Sequence, residues 1–80
     1  MKQIKYVVTE PEGLHSLPAS VLVAKLNNYK SDVTAAFKGN IVNAKSPIGL
    51  MSLGAKFGDV ILMEIEGADE EEVAGLLSGD

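Results

Sequence analysis

The 80-residue chain contains no cysteine, no tryptophan and no arginine, and only one histidine. Without cysteine there are no disulfides and no thiolate metal sites, which fits a reducing cytosol. The missing arginines and a net charge of −4 argue against nucleic acid as a partner, because basic patches carry that affinity. One histidine among scattered acids makes no metal site, and no cofactor motif is present. No apolar run is long enough to span a membrane, so membrane insertion is not expected. Met1-Lys2-Gln3 leads into an alternating pattern and not into a signal peptide. Hydrophobic residues at 46 % and charged residues at 22 % are ordinary for a globular domain. A chain this short buries roughly 60 % of its unfolded surface. The expectation is a single domain, residues 1–80, small, soluble and cytoplasmic, with one modest core.

What is present centres on Glu12-Gly13-Leu14-His15-Ser16-Leu17-Pro18-Ala19-Ser20. Pro18 presets φ near the helical value and lacks an N–H that a first-turn residue leaves unpaired, so it marks a helix start. Behind it Ala19, Leu22, Val23 and Leu26 recur at i, i+3, i+4 and i+7, one apolar stripe. The pattern predicts a helix from about Ser16 to Asn28, with Asn27-Asn28 as its stop. His15 therefore stands at the helix mouth, where the N-terminal turn of Ser16, Leu17 and Pro18 presents free N–H groups and the positive end of the dipole. Those features hold an anion. Histidine is also the side chain whose neutral, nucleophilic form is abundant near neutral pH. A phosphoryl group on His15 would be supported there. Taken alone, the stretch favours a surface or capping histidine, so the rest of the chain decides.

In chain order, Ile4, Tyr6 and Val8 alternate with Lys5, Val7 and Thr9 and predict a first strand. Thr9 to Gly13, with Pro11, is the loop that delivers His15. Val33, Ala35 and Phe37 alternate in a second strand, Lys38-Gly39 is a tight turn, and Asn40 to Asn43 returns as a third. Ser46-Pro47 reads as an N-cap followed by a first-turn proline. Gly49 and Gly54 keep the helix that follows short. Phe57-Gly58-Asp59 turns the chain into a strand over Val60 to Glu66, with Ile61, Met63 and Ile65 on one face. Asp69 with Glu72 three residues on resembles a capping box for a last helix, whose apolar stripe is Val73, Leu76 and Leu77. Glu70, Glu71 and Glu72 are a solvated helix start favoured by the dipole. The order β-α-β-β-α-β-α with half-polar strands implies an α+β fold, its helices on one face of a mostly antiparallel sheet.

Gly13-Leu14-His15 with Pro18-Ala19, and Asn43 with Lys45-Ser46, Gly49 and Met51-Ser52-Leu53-Gly54, resemble the two motifs of the HPr family. These are the histidine-containing phosphocarriers of the phosphoenolpyruvate-dependent sugar phosphotransferase system. The likeness extends from the first strand to Asp69-Glu70. It implies a four-stranded antiparallel sheet of order 1-4-2-3 with three helices on one face, an order that the element pattern alone does not supply. It implies that His15 is the phosphoryl acceptor, loaded by enzyme I and unloaded by the IIA domains of sugar permeases. Such a carrier is a transfer intermediate and not a turnover enzyme. Ser46 matches the serine that an ATP-dependent HPr kinase/phosphorylase modifies. Leu17, Ser20, Pro47, Ile48, Gly49 and Met51 match the surface on which partners dock, although Ile48 and Met51 equally suit a core. A regulatory paralogue outside the relay, acting through Ser46 and its docking surface, is the alternative. One departure stands out: the family motif carries arginine two residues after the histidine, and this chain has Leu17. Lys25, Lys45 and Lys56 are the basic candidates near the motifs to replace it, without an arginine's bidentate fork.

Overall fold

The computed structural model describes residues 1–79. Strand β1 (Lys2–Val7) leads through a loop to helix α1 (Ser16–Leu26), followed by the hairpin β2 (Asp32–Phe37) and β3 (Asn40–Asn43). Helix α2 (Pro47–Ser52), strand β4 (Val60–Glu66) and helix α3 (Glu70–Ser78) complete the order. The four strands form one antiparallel sheet in the order β1-β4-β2-β3. The expected architecture is therefore the observed one, including the order 1-4-2-3.

Register explains how one face becomes core. Ile4 lies opposite Met63, Met63 opposite Ala35, and Ala35 opposite Val42, so a continuous apolar row crosses all four strands. Because side chains alternate along a strand, Ile61, Met63 and Ile65 all point to that face, and all three are fully buried. The helices close over it with Ala19, Leu22, Val23 and Leu26 of α1, Leu50 of α2, and Val73 and Leu77 of α3. On the opposite face Lys5, Leu62, Ala36 and Ile41 form the neighbouring row, and Ile41 is exposed. Lys38 and Gly39 have φ of 50° and 83°, the paired positive values of a two-residue hairpin turn matched to strand twist.

The end of α1 and the capping of α3 differ from expectation, while the start of α3 after Asp69 does not. Helix α1 ends at Leu26 because the chain tightens there: the N–H groups of Asn28 and Tyr29 donate to the carbonyls of Lys25 and Leu26, at 3.2 and 3.1 Å. These three-residue bonds close the last turn. The capping box expected at Asp69 and Glu72 does not form. Asp69 occupies the N-cap position of α3 but makes no side-chain cap bond. Its carboxylate instead accepts from the Lys30 and Ser31 N–H groups at 2.8 and 2.9 Å, and from the Ser31 hydroxyl at 2.5 Å. The single loop before β2, distant in sequence, competes with the helix end for the same oxygens and wins with three donors. Glu70 reaches back to the Gly67 N–H instead, at 3.2 Å.

Candidate functional site

Three consecutive turns deliver His15 to α1. The Gly13 N–H donates to the Glu10 carbonyl at 2.9 Å, closing a four-residue turn with Pro11 in its second position, where a fixed φ suits it. The His15 N–H donates to the Gly13 carbonyl at 3.1 Å, a three-residue turn. The His15 carbonyl then accepts the first helical bond from Ala19, at 2.9 Å. Leu14, within this run, is buried in the core, and its N–H donates to the Ala55 carbonyl at 3.1 Å. An anchored neighbour thus holds His15 at a defined position.

His15 is the N-cap residue of α1, in extended conformation, and its imidazole makes no cap bond. The ring is consequently not committed to the helix it precedes, and the residue is exposed. Beyond it the N–H groups of Ser16 and Leu17 lack the carbonyl four residues back that interior positions use, and Pro18 has no N–H to leave unpaired. Pro18 sits at the third helical position, within the first turn. Two N–H groups and the positive helix end therefore stand unpaired by helical bonds at the end of α1 that His15 caps.

Gly13 sets the other wall. Its φ is +86°, and a β-carbon on it would lie 2.7 Å from the Ala55 carbonyl oxygen and 3.2 Å from the Lys56 Cα. Only glycine allows that approach, which presses the α2–β4 loop against the His15 loop. The turn after Ala55 is fixed as well: the Lys56 N–H donates to an Asp59 carboxylate oxygen at 2.8 Å, and the Asp59 N–H returns to the Lys56 carbonyl at 2.9 Å. Phe57 in this turn is 65 % exposed. Its turn chemistry was legible from sequence, but its exposure beside the His15 loop was not.

On α1, Leu17 is 70 % exposed, so the leucine that stands where the motif carries arginine is no core residue. It forms, with Pro18, Val21, Leu22, Lys25, Tyr6, Thr9 and Glu10, the walls of an open groove beside the helix. Burial raises the pKa of the Tyr6 phenol, and the Glu10 carboxylate near it adds to the shift.

The remaining expected residues fall on and around α2. Ser46 is its N-cap, accepting the Gly49 N–H at 3.1 Å, with Pro47 following. Gly49 is thereby part of the cap, and a β-carbon there would meet the Asn43 carbonyl at 3.2 Å. Ile48 is 77 % exposed, whereas Met51 is half-buried against the core. The two residues that suited either role divide between them. Helices α1 and α2 are in contact, so exposed Ser20 and Leu17 on one and Ile48 on the other belong to one helical layer.

Fold and site together define an open-faced α+β sandwich that presents a single histidine at a helix mouth. The phosphotransferase family model described as the HPr component phosphorylation site matches residues 2–78. The chain is 44 % identical over 73 residues to the phosphocarrier protein HPr of Mycoplasma pneumoniae, covering 90 % of this chain and 83 % of that protein. A crystal structure of HPr from Thermoanaerobacter tengcongensis superimposes with a TM-score of 0.91 at 35 % identity, over 99 % of this chain and 89 % of that one. The catabolite repression protein Crh of Bacillus subtilis, solved as a swapped dimer, gives 0.79 at 38 % identity, over 99 % and 91 % of the two chains. The chain belongs to the HPr family of phosphotransferase-system phosphocarriers. Among the described residues no helix is long and apolar enough to cross a membrane.

Proposed function

We propose that the chain carries a phosphoryl group on a ring nitrogen of His15 in the cytoplasm. It receives the group from enzyme I and passes it to IIA domains of sugar permeases, without a turnover reaction of its own. The observation that supports this most is the uncommitted imidazole at the N-cap of α1. In loading, the ring nitrogen's lone pair forms the N–P bond while the donor's bond to phosphorus breaks and leaves its electron pair on the donor. Unloading is the reverse with a second acceptor. The charge on the phosphoryl oxygens is met by the Ser16 and Leu17 N–H groups and the helix dipole, which are already oriented before the group arrives. Leu17, Ser20, Pro47, Ile48, Gly49 and Met51 supply the docking face, with Ile48 its most exposed apolar contact and Met51 a partly buried support. On incubation with enzyme I and phosphoenolpyruvate, the wild type is expected to gain one acid-labile phosphoryl group and His15→Ala none. Equal labelling of the two would end the carrier reading.

Regulation at Ser46 is the finer part of the proposal, with an HPr kinase/phosphorylase as the partner. Its hydroxyl is a structural cap, so removing it costs about 1 kcal/mol. A phosphate there adds about −1.5 to −2 charge two residues from Ile48, on the docking face. Phosphorylated protein should keep its melting temperature, since phosphate oxygens also accept helix N–H groups, and should load His15 more slowly. A large fall in melting temperature with unchanged loading would leave Ser46 a cap and nothing more. The second reading, a regulatory protein outside the relay, draws on Leu17 and on the similarity to Crh. Failure of His15 to load, with Ser46 accepting phosphate from ATP and the kinase, would favour it.

A further inference from the structure

A phosphoryl group on His15 would lack one cation that the family motif provides. The chain has no arginine, and Leu17 brings none to the phosphoryl site. Three lysines are near the motifs in sequence, and the structure separates them. Lys25 is ten residues along α1 from His15, roughly 15 Å at 1.5 Å per residue. The Lys45 ammonium donates to the Tyr29 carbonyl at 2.9 Å, beyond the C-terminal end of α1, at the opposite pole from His15. The Lys56 Cα instead packs on Gly13, and two residues of chain span at most ~7 Å from there to His15.

Among the other lysines, Lys2 pairs with Glu71 at 3.3 Å, and Lys38 lies over the Phe37 ring in the hairpin. Lys5 is on the outer sheet face, and Lys30 follows Tyr29 beyond α1. The Lys56 backbone is fixed by its bonds with Asp59, while its side chain is exposed and its ammonium has no hydrogen bond or ion pair among the described residues. The Lys56 backbone is thus held against the His15 loop, with an exposed side chain and an uncommitted ammonium that can meet a phosphoryl group.

We propose, resting on the carrier reading, that Lys56 supplies the cation for the phosphoryl group on His15. From the α2–β4 loop it replaces the arginine that is absent from position 17. Its four-carbon stem lets the ammonium meet the phosphoryl oxygens as a point charge, where an arginine would engage two of them at once. The placement depends on Gly13, because any side chain there would push the Lys56 turn away. No bond to the lysine forms or breaks, so the proton stays on the ammonium throughout transfer.

The test is loading of the purified protein by enzyme I and phosphoenolpyruvate, with kcat and KM separated and melting temperature recorded. Lys56→Gln should lose roughly tenfold to a hundredfold in loading rate, the worth of one charge-assisted hydrogen bond. The loss should fall mainly on kcat, with the melting temperature unchanged. Lys56→Arg should retain the rate, and Lys25→Gln should behave as wild type. Leu17→Arg added to Lys56→Gln should restore loading, because it returns a cation from the helix side. Normal loading by Lys56→Gln would overturn the proposal while leaving the carrier reading intact. So would a defect that follows melting temperature and ignores the Leu17→Arg rescue. A wild type that does not load at all would remove both.

Discussion

Gly13→Ala is expected to slow His15 loading by tenfold or more and to cost about 2–4 kcal/mol of stability. Two penalties add. The φ of +86° places an L-residue in a region it rarely adopts, and the new β-carbon would overlap the Ala55 carbonyl at 2.7 Å. The obstructing atoms are backbone, so a side-chain rotation cannot relieve the overlap. Either the Glu10–Gly13 turn opens or the Ala55–Lys56 segment retreats. In the first case Leu14 loses its bond to Ala55 and His15 loses its fixed position before α1. In the second the Lys56 ammonium withdraws from the phosphoryl group. Urea unfolding and enzyme I loading of the same preparation check both consequences, with loading measured where the variant is fully folded. A folded variant that loads normally would show that the contact between the loops serves stability alone.

Much of this was readable from residue patterns, because it rests on local chemistry. The 3.6-residue spacing of Ala19, Leu22, Val23 and Leu26 and the alternation of Ile61, Met63 and Ile65 each report which side of an element faces the core. All seven residues are buried. Ser46-Pro47 specified a cap from two adjacent side chains, and that cap forms. The failures share a different character. Strand order depends on pairings between residues some sixty positions apart, such as Ile4 with Met63, and periodicity is blind to them; the family resemblance supplied that order. Asp69 carried the correct local signal for an N-cap, yet donors from the loop before β2 claimed its carboxylate. Lys25, Lys45 and Lys56 were indistinguishable as letters, and only the packing of Gly13 on Lys56 and the bond from Lys45 to Tyr29 tell them apart. Ile48 and Met51 were equally ambiguous, since a six-residue helix has too few turns for its apolar face to be inferred.

Gly67→Ala should produce the larger loss of stability, about 3 kcal/mol or more, with a distinctive dependence on acid. A β-carbon on Gly67 would lie 2.6 Å from the Ser31 Cα and 2.6 Å from its hydroxyl oxygen. Relief requires the Ser31 backbone to move, and Ser31 is fully buried. That movement breaks the contacts of Asp69 with the Lys30 and Ser31 N–H groups and the Ser31 hydroxyl. The hydroxyl is the main cause, with the backbone N–H groups, of an Asp69 pKa lowered from 3.8 to about 2. Since the folded carboxylate holds its proton less tightly than the unfolded one, the contribution of these bonds is fully present above pH 3.8 and is lost as pH falls through about 2. Wild type should therefore lose this part of its stability in acid. The alanine variant, whose bonds are already broken, has nothing at that position left to lose. The gap between their melting temperatures should be widest at neutral pH and narrow near pH 2. Thermal unfolding across that range decides it. A gap that stays constant with pH would mean that Gly67 acts only through steric fit to Ser31, with the Asp69 contacts surviving the substitution.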